Sequence, residues 1–119
     1  MTVLRYRIAA SVADAYFDAG FTVVVQDVVV GPVLSEYLEM IRARPLVLAV
    51  LAPRPDAVAA RELGRTKTGY HNGWSVEEFD AGFRATTPPL GAWIDSSDQT
   101  PDETVEEILD RGWREGTVP

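Results

Sequence analysis

Cysteine is absent from the 119 residues, and histidine occurs once, as His71. No disulfide framework and no thiolate metal site can be built from such a chain. Histidine-dependent triads and multi-histidine metal centres have little material. Positive charge is scarce as well: 11 Lys and Arg stand against 18 Asp and Glu, a net charge of −7. That balance argues against non-specific binding to nucleic acid or to an anionic membrane surface. No apolar run approaches the roughly 20 residues needed to span a bilayer. The N-terminal stretch carries acidic residues inside its apolar pattern and reads as a helix, not a signal peptide. A cysteine-free, leaderless chain fits a cytoplasmic location.

What is present is a chain that is 46% apolar, enough for a core and too much for disorder. Its length suits one small domain or a piece of a larger one. Residues 21–30, FTVVVQDVVV, are apolar on both alternating faces. Such a strand is covered on both sides, as in a parallel sheet flanked by helices. Ligands of open sheets gather at the carboxyl ends of the strands, and Asp27 lies near such an end. Asp27 is therefore expected in a binding or catalytic cleft, or else as a cap on the following loop.

The remaining elements follow in order. Residues 4–19 predict a helix, with Leu4, Ile8, Val12 and Ala15/Tyr16 at helical spacing and Gly20 after its end. Gly31-Pro32 breaks the apolar strand and opens a second helix with a stripe of Leu34, Tyr37, Leu38 and Ile41. Residues 46–52, LVLAVLA, predict a second two-sided strand, so that strand, helix and strand form a parallel βαβ crossover. A third helix runs from Pro55 to about Leu63. The glycine-rich polar stretch 64–74, GRTKTGYHNGW, reads as a mobile loop. Ser75 and Glu78 make a capping box ahead of a short helix carrying Val76, Phe79 and Phe83. Residues 90–94 predict a third strand ending at Asp95. Thr100 and Glu103 make a second capping box, and the last helix places Val105, Ile108, Leu109 and Trp113 on one face. No linker divides the chain, so residues 1–119 are expected to form one α/β domain of three layers. Three strands make a narrow sheet, however, and two of them ask for neighbours.

Arg61 and Arg65 lie four apart at the end of the third helix and lead into the loop that holds Lys67. Arginine forks beside a closing loop suit a polyanion such as a nucleotide triphosphate. The competing account is a solvated helix face, with Asp56 and Glu62 as ion-pair partners. Asp95, Ser96, Ser97 and Asp98 follow the third strand and serve either a ligand or the turn itself. His71 falls in a turn-like loop, and Trp74, Trp93 and Trp113 read as packing residues because no basic stripe accompanies them. Arg84 points toward the same strand ends on this reading.

In this order the pieces resemble the C-terminal two-thirds of small P-loop kinases, in particular the chloramphenicol phosphotransferase-like group of small-molecule phosphotransferases. The motifs that carry the resemblance are VVVQDVVVG, LVLAVLAP, Arg61 and Arg65 before a lid-like loop 64–74, and Ile94-Asp95-Ser96-Ser97 leading to Thr100 and the last helix. The resemblance implies ATP and Mg2+ as cofactors and a small-molecule phosphate acceptor. It implies that Asp27 serves the magnesium and substrate side, and that Arg61 and Arg65 contact the phosphates. It further implies that the segment from Asp95 through Ser96 to Thr100 lies beside the adenine. Catalysis in this class is mainly positioning and charge neutralisation. One departure is large: no G-x-x-x-x-G-K-S/T loop occurs in the chain. The βα unit that carries the loop is absent with it, which accounts for the narrow sheet. The expectation is thus a P-loop-kinase-like three-layer sandwich with a parallel sheet, missing its N-terminal βα unit. Such a chain is the C-terminal part of a phosphotransferase, inactive alone, or a degenerate non-catalytic domain that binds a partner. Either would self-associate through an open sheet edge.

Overall fold

The structure, a computed structural model, describes residues 2–63 and 75–119. Residues 64–74, where a mobile loop is expected and which include Arg65, Lys67, His71 and Trp74, lie outside the described residues. The chain is an α/β fold of five helices and four short strands among the described residues: α1 (Thr2–Asp18), α2 (Val33–Met40), β1 (Leu46–Val47), β2 (Ala49–Leu51), α3 (Pro55–Leu63), α4 (Val76–Thr86), β3 (Ala92–Ile94), α5 (Pro101–Glu115) and β4 (Thr117–Val118). They fall into two units, Met1–Leu46 with Thr86–Pro88, and Val47–Ala85 with Pro89–Pro119.

In the first unit α1 packs on α2. Tyr6 and Ala10 of α1 and Tyr37 and Ile41 of the α2 region form its buried core. The Tyr6 and Tyr37 rings stack with centroids 4.7 Å apart, an offset aromatic pair that adds to the area they bury. Gly20 ends α1 with φ of +97°, as the sequence predicts for a residue in the left-handed region. The stripe expected to bury α1 is the wrong one. Leu4, Ile8, Val12 and Tyr16 are exposed, while Tyr6, Ala10, Ala13 and Asp14 face inward. The helix is apolar on two sides, and only one is covered.

The strand expected at 21–30 is not formed. The segment runs without helix, turn or bend and pairs with no strand among the described residues. A strand exists only where a neighbour completes its ladder, and here none does. Val24 is 89% exposed and Val28 62%, whereas Val23, Asp27 and Val29 are half-buried. The βαβ crossover predicted through this segment is accordingly absent. The chain turns at Gly31 (φ of +87°), whose N–H donates to Thr87 Oγ1 at 2.8 Å.

In the second unit β2 and β3 pair in parallel, with Ala49, Val50 and Leu51 opposite Ala92, Trp93 and Ile94. The single strand predicted over 46–52 is divided into β1, which pairs with β4, and β2, which pairs with β3. Leu48 lies at the division and joins both neighbours: its N–H donates to Gly116 O at 2.8 Å, and its carbonyl accepts from Ala92 N–H at 3.0 Å. Helix α5 packs against β3. Both predicted caps open helices: Ser75 Oγ accepts from Glu78 N–H, and Thr100 exchanges bonds with Glu103 in a complete capping box. The face that α5 buries matches the expected one only in part. Thr104 and Gly112 are buried and Ile108 is half-buried, while Val105, Leu109 and Trp113 are exposed. Gly112 decides this, because a Cβ there would lie 3.0 Å from Val47 Cγ1, so the helix approaches through its smallest residue.

Candidate functional site

The parallel register of β2 and β3 brings their carboxyl ends to one side, where polar groups gather in an open α/β sheet. Ala52 N–H donates to Ile94 O at 2.8 Å and carries the pairing one residue beyond β2. Three arginines converge on the loops that follow. Arg61 reaches back from α3, and its Nη2 donates to the carbonyls of Ser96 at 2.6 Å and Ser97 at 3.3 Å. Arg84 reaches from α4 and donates to the carbonyls of Ala52 and Pro53. Arg54 lies in the loop after β2, its N–H donating to Ser97 Oγ at 2.7 Å.

Charge in this cluster is balanced by acids. Arg54 forms a two-pronged pair with Asp98, at 3.0 and 3.2 Å, and donates through Nε to Asp56 at 3.2 Å. These partners raise the guanidinium above its ordinary range, Asp98 first, and hold the Asp98 carboxyl below its own. The Asp95 carboxyl is held low chiefly by the Ser97 hydroxyl and then by the Ser97 N–H. Arg84 is paired with Asp80 at 2.9 Å. Three guanidiniums therefore face Asp56, Asp80, Asp95 and Asp98, and the cluster offers no net positive charge to a triphosphate. Among the described residues no group of three or more His, Asp or Glu could hold a metal ion. Without that surplus charge or a metal cage, these residues do not by themselves fit a magnesium–triphosphate.

The residues singled out in the sequence have diverse fates. Arg61, Asp95 and Ser96 meet at the strand ends, with the Ser96 side chain buried. Thr100 is spent as the cap of α5. Arg65 lies outside the described residues. Asp27 belongs to the first unit, where Oδ1 accepts from Val28 N–H at 2.7 Å and pairs with Arg5 at 3.2 Å. That is the local capping role which the sequence left open beside a cleft role. Tyr6 OH donates to Val28 O at 3.0 Å, and Tyr37 OH is buried with no hydrogen-bond partner among the described residues. Burial, then the Asp27 charge, raises the Tyr37 hydroxyl above its ordinary value. Sequence reasoning missed Arg54 as a hub. Its signal was position, an arginine between two prolines at the carboxyl end of an apolar strand.

Comparison with family models, with curated proteins and with solved structures gives no match.

Proposed function

We propose that this chain is the C-terminal part of an ATP-dependent small-molecule phosphotransferase of the P-loop-kinase type, inactive by itself. In the completed enzyme the sheet is the middle layer of a three-layer sandwich, and the missing βα unit supplies the phosphate loop. The observation that carries the reading is Arg61, whose guanidinium is anchored on Ser96 O at the carboxyl ends of a parallel strand pair. Anchoring fixes one nitrogen to the main chain. Among the described residues the others have no partner, and in this reading they serve phosphate oxygens. The family resemblance would give Arg65 a phosphate role like that of Arg61, the segment from Asp95 to Thr100 a nucleotide role, and Asp27 a substrate role. Magnesium and the triphosphate are held mainly by the absent loop, which agrees with the charge balance of the strand-end cluster.

A second reading is a degenerate domain that keeps the architecture and binds a partner without chemistry. The neutralisation of Arg54 by Asp98 and Asp56 favours it. The coding DNA upstream of Met1 separates the two. The phosphotransferase reading expects an in-frame G-x-x-x-x-G-K-S/T within a strand–loop–helix pattern. An in-frame stop directly upstream would overturn it in favour of the second reading.

A further inference from the structure

We propose that residues 22–30 are a strand-pairing edge that takes a second copy of this chain, in antiparallel register centred on Gln26.

The backbone identifies the chemistry of the occupant. From Thr22 to Asp27, and again at Val29 and Val30, no main-chain N–H donates to a described group. A run of unpaired donors and acceptors along an unbent apolar segment is completed by another strand. Val28 spends its N–H on Asp27 and its carbonyl on Tyr6, inside its own protomer. Main-chain groups of successive residues point to opposite edges of a strand, so the free edge is the one carried by Val23, Val25, Asp27 and Val29.

The sequence identifies the occupant. In an antiparallel pair related by a two-fold axis, opposed residues share a face, so their numbers sum to an even value. Centring on Gln26 sets Val24 against Val28 and Val23 against Val29 in both copies, with Thr22 against Val30. Centring on Asp27 would set that carboxylate against itself, which is destabilising. Asp27 is the only charged residue between Phe21 and Val30, and Arg5 at 3.2 Å already neutralises it. The segment thus meets its own copy with Val24 facing Val28 and Val23 facing Val29, and Asp27, which falls opposite Val25, is already paired with Arg5.

Neighbouring surface extends the interface. Val12 and Tyr16 of α1 line an open groove of about 460 Å³ together with Val24, Val25 and Gln26. The exposed α1 residues Leu4, Ile8, Val12 and Tyr16 add apolar surface in the same unit. A specific interface needs roughly 1,200 Å² or more, and the helix stripes add to what the strands bury. This pairing does not depend on phosphotransfer.

The test uses the absence of cysteine. With odd-numbered residues carrying the ladder, Gln26 faces its copy in a non-hydrogen-bonded pair, Cα atoms about 4.5 Å apart, within disulfide reach. Gln26→Cys should form a covalent dimer under mild oxidation. Val24→Cys or Val28→Cys alone should not, because each lies about 13 Å from its own copy. A mixture of those two variants should cross-link. Val25→Pro removes an outward N–H that the monomer does not use, and should abolish the dimer in sedimentation while leaving the circular dichroism of the helices unchanged. A monomeric wild-type chain at 100 μM would overturn the proposal, as would cross-linking through Asp27→Cys in preference to Gln26→Cys.

Discussion

Asp14 is a buried acid of the first unit that the sequence does not mark. Its carboxylate accepts from the N–H of Arg42 at 3.0 and 3.2 Å and of Ala43 at 2.9 Å, tying α1 to the chain that leaves α2. Burial pushes its pKa up, but these two N–H groups and the guanidiniums of Arg42 and Arg44 together hold it below the ordinary 3.8. A folded pKa below the unfolded one makes the carboxylate stabilising above pH 3.8, and that contribution is lost as pH falls through the folded value. Asp14→Ala should cost about 1 kcal/mol or more at pH 7, because two partly buried N–H groups lose their charged acceptor. The stability difference between wild type and Asp14→Asn, read from urea unfolding, should shrink as pH drops below 3.8; a difference constant down to pH 2 would contradict this. Nothing in the sequence marks Asp14, because its partners lie 28 and 29 residues away. Thr100, in contrast, was legible, since its partner Glu103 is only three residues on.

At the scale of elements, local chemistry was legible and the choice of buried face was not. Both helix caps, the glycine after α1 and the stripe of α2 can be read from neighbouring residues. The buried faces of α1 and α5 cannot, because each helix carries apolar residues on more than one side: α1 buries Tyr6 with Ala10 and Ala13, and α5 approaches β1 through Gly112. Capping predicts that Thr100→Ala lowers stability by about 1 kcal/mol in chemical denaturation while Thr100→Ser stays near wild type. Close approach predicts a larger effect at Gly91, which has φ of +81° and where a Cβ would lie 2.7 Å from Leu48 Cγ and 2.8 Å from Leu48 O. Gly91→Ala should destabilise by about 1–3 kcal/mol through overpacking and strain. An unchanged denaturation midpoint would show that the β2–β3 pair adjusts at no cost. Strand existence at 21–30 failed for a related reason: apolar pattern specifies a segment that wants a neighbour, and the neighbour is not among the described elements.

The whole molecule is legible as α/β, and the sequence set Ser96 just after the third strand and Arg61 at the end of the third helix, but not their contact. What remained out of reach was which acids would answer which arginines, since Arg54 meets Asp98 across 44 residues. The first unit exposes the α1 stripe and a valine segment with no strand partner among the described residues, and exposed apolar surface of this kind marks an association site. Association should follow charge as well as apolar area. Each chain carries a net charge of −7, so raising salt from 20 to 500 mM should strengthen the dimer in sedimentation equilibrium by screening repulsion. Weakening with salt would instead indicate an interface held by ion pairs. The central claim, that phosphotransfer needs a unit this chain lacks and an arginine it has, is tested most directly by calorimetric titration of magnesium–ATP. The titrations compare residues 1–119 with the same chain lengthened by its in-frame upstream codons. The account predicts no detectable heat for residues 1–119, binding by the lengthened chain, and its weakening at least tenfold by Arg61→Ala. Binding by the lengthened chain that is indifferent to Arg61→Ala, or equal binding by both chains, would contradict it.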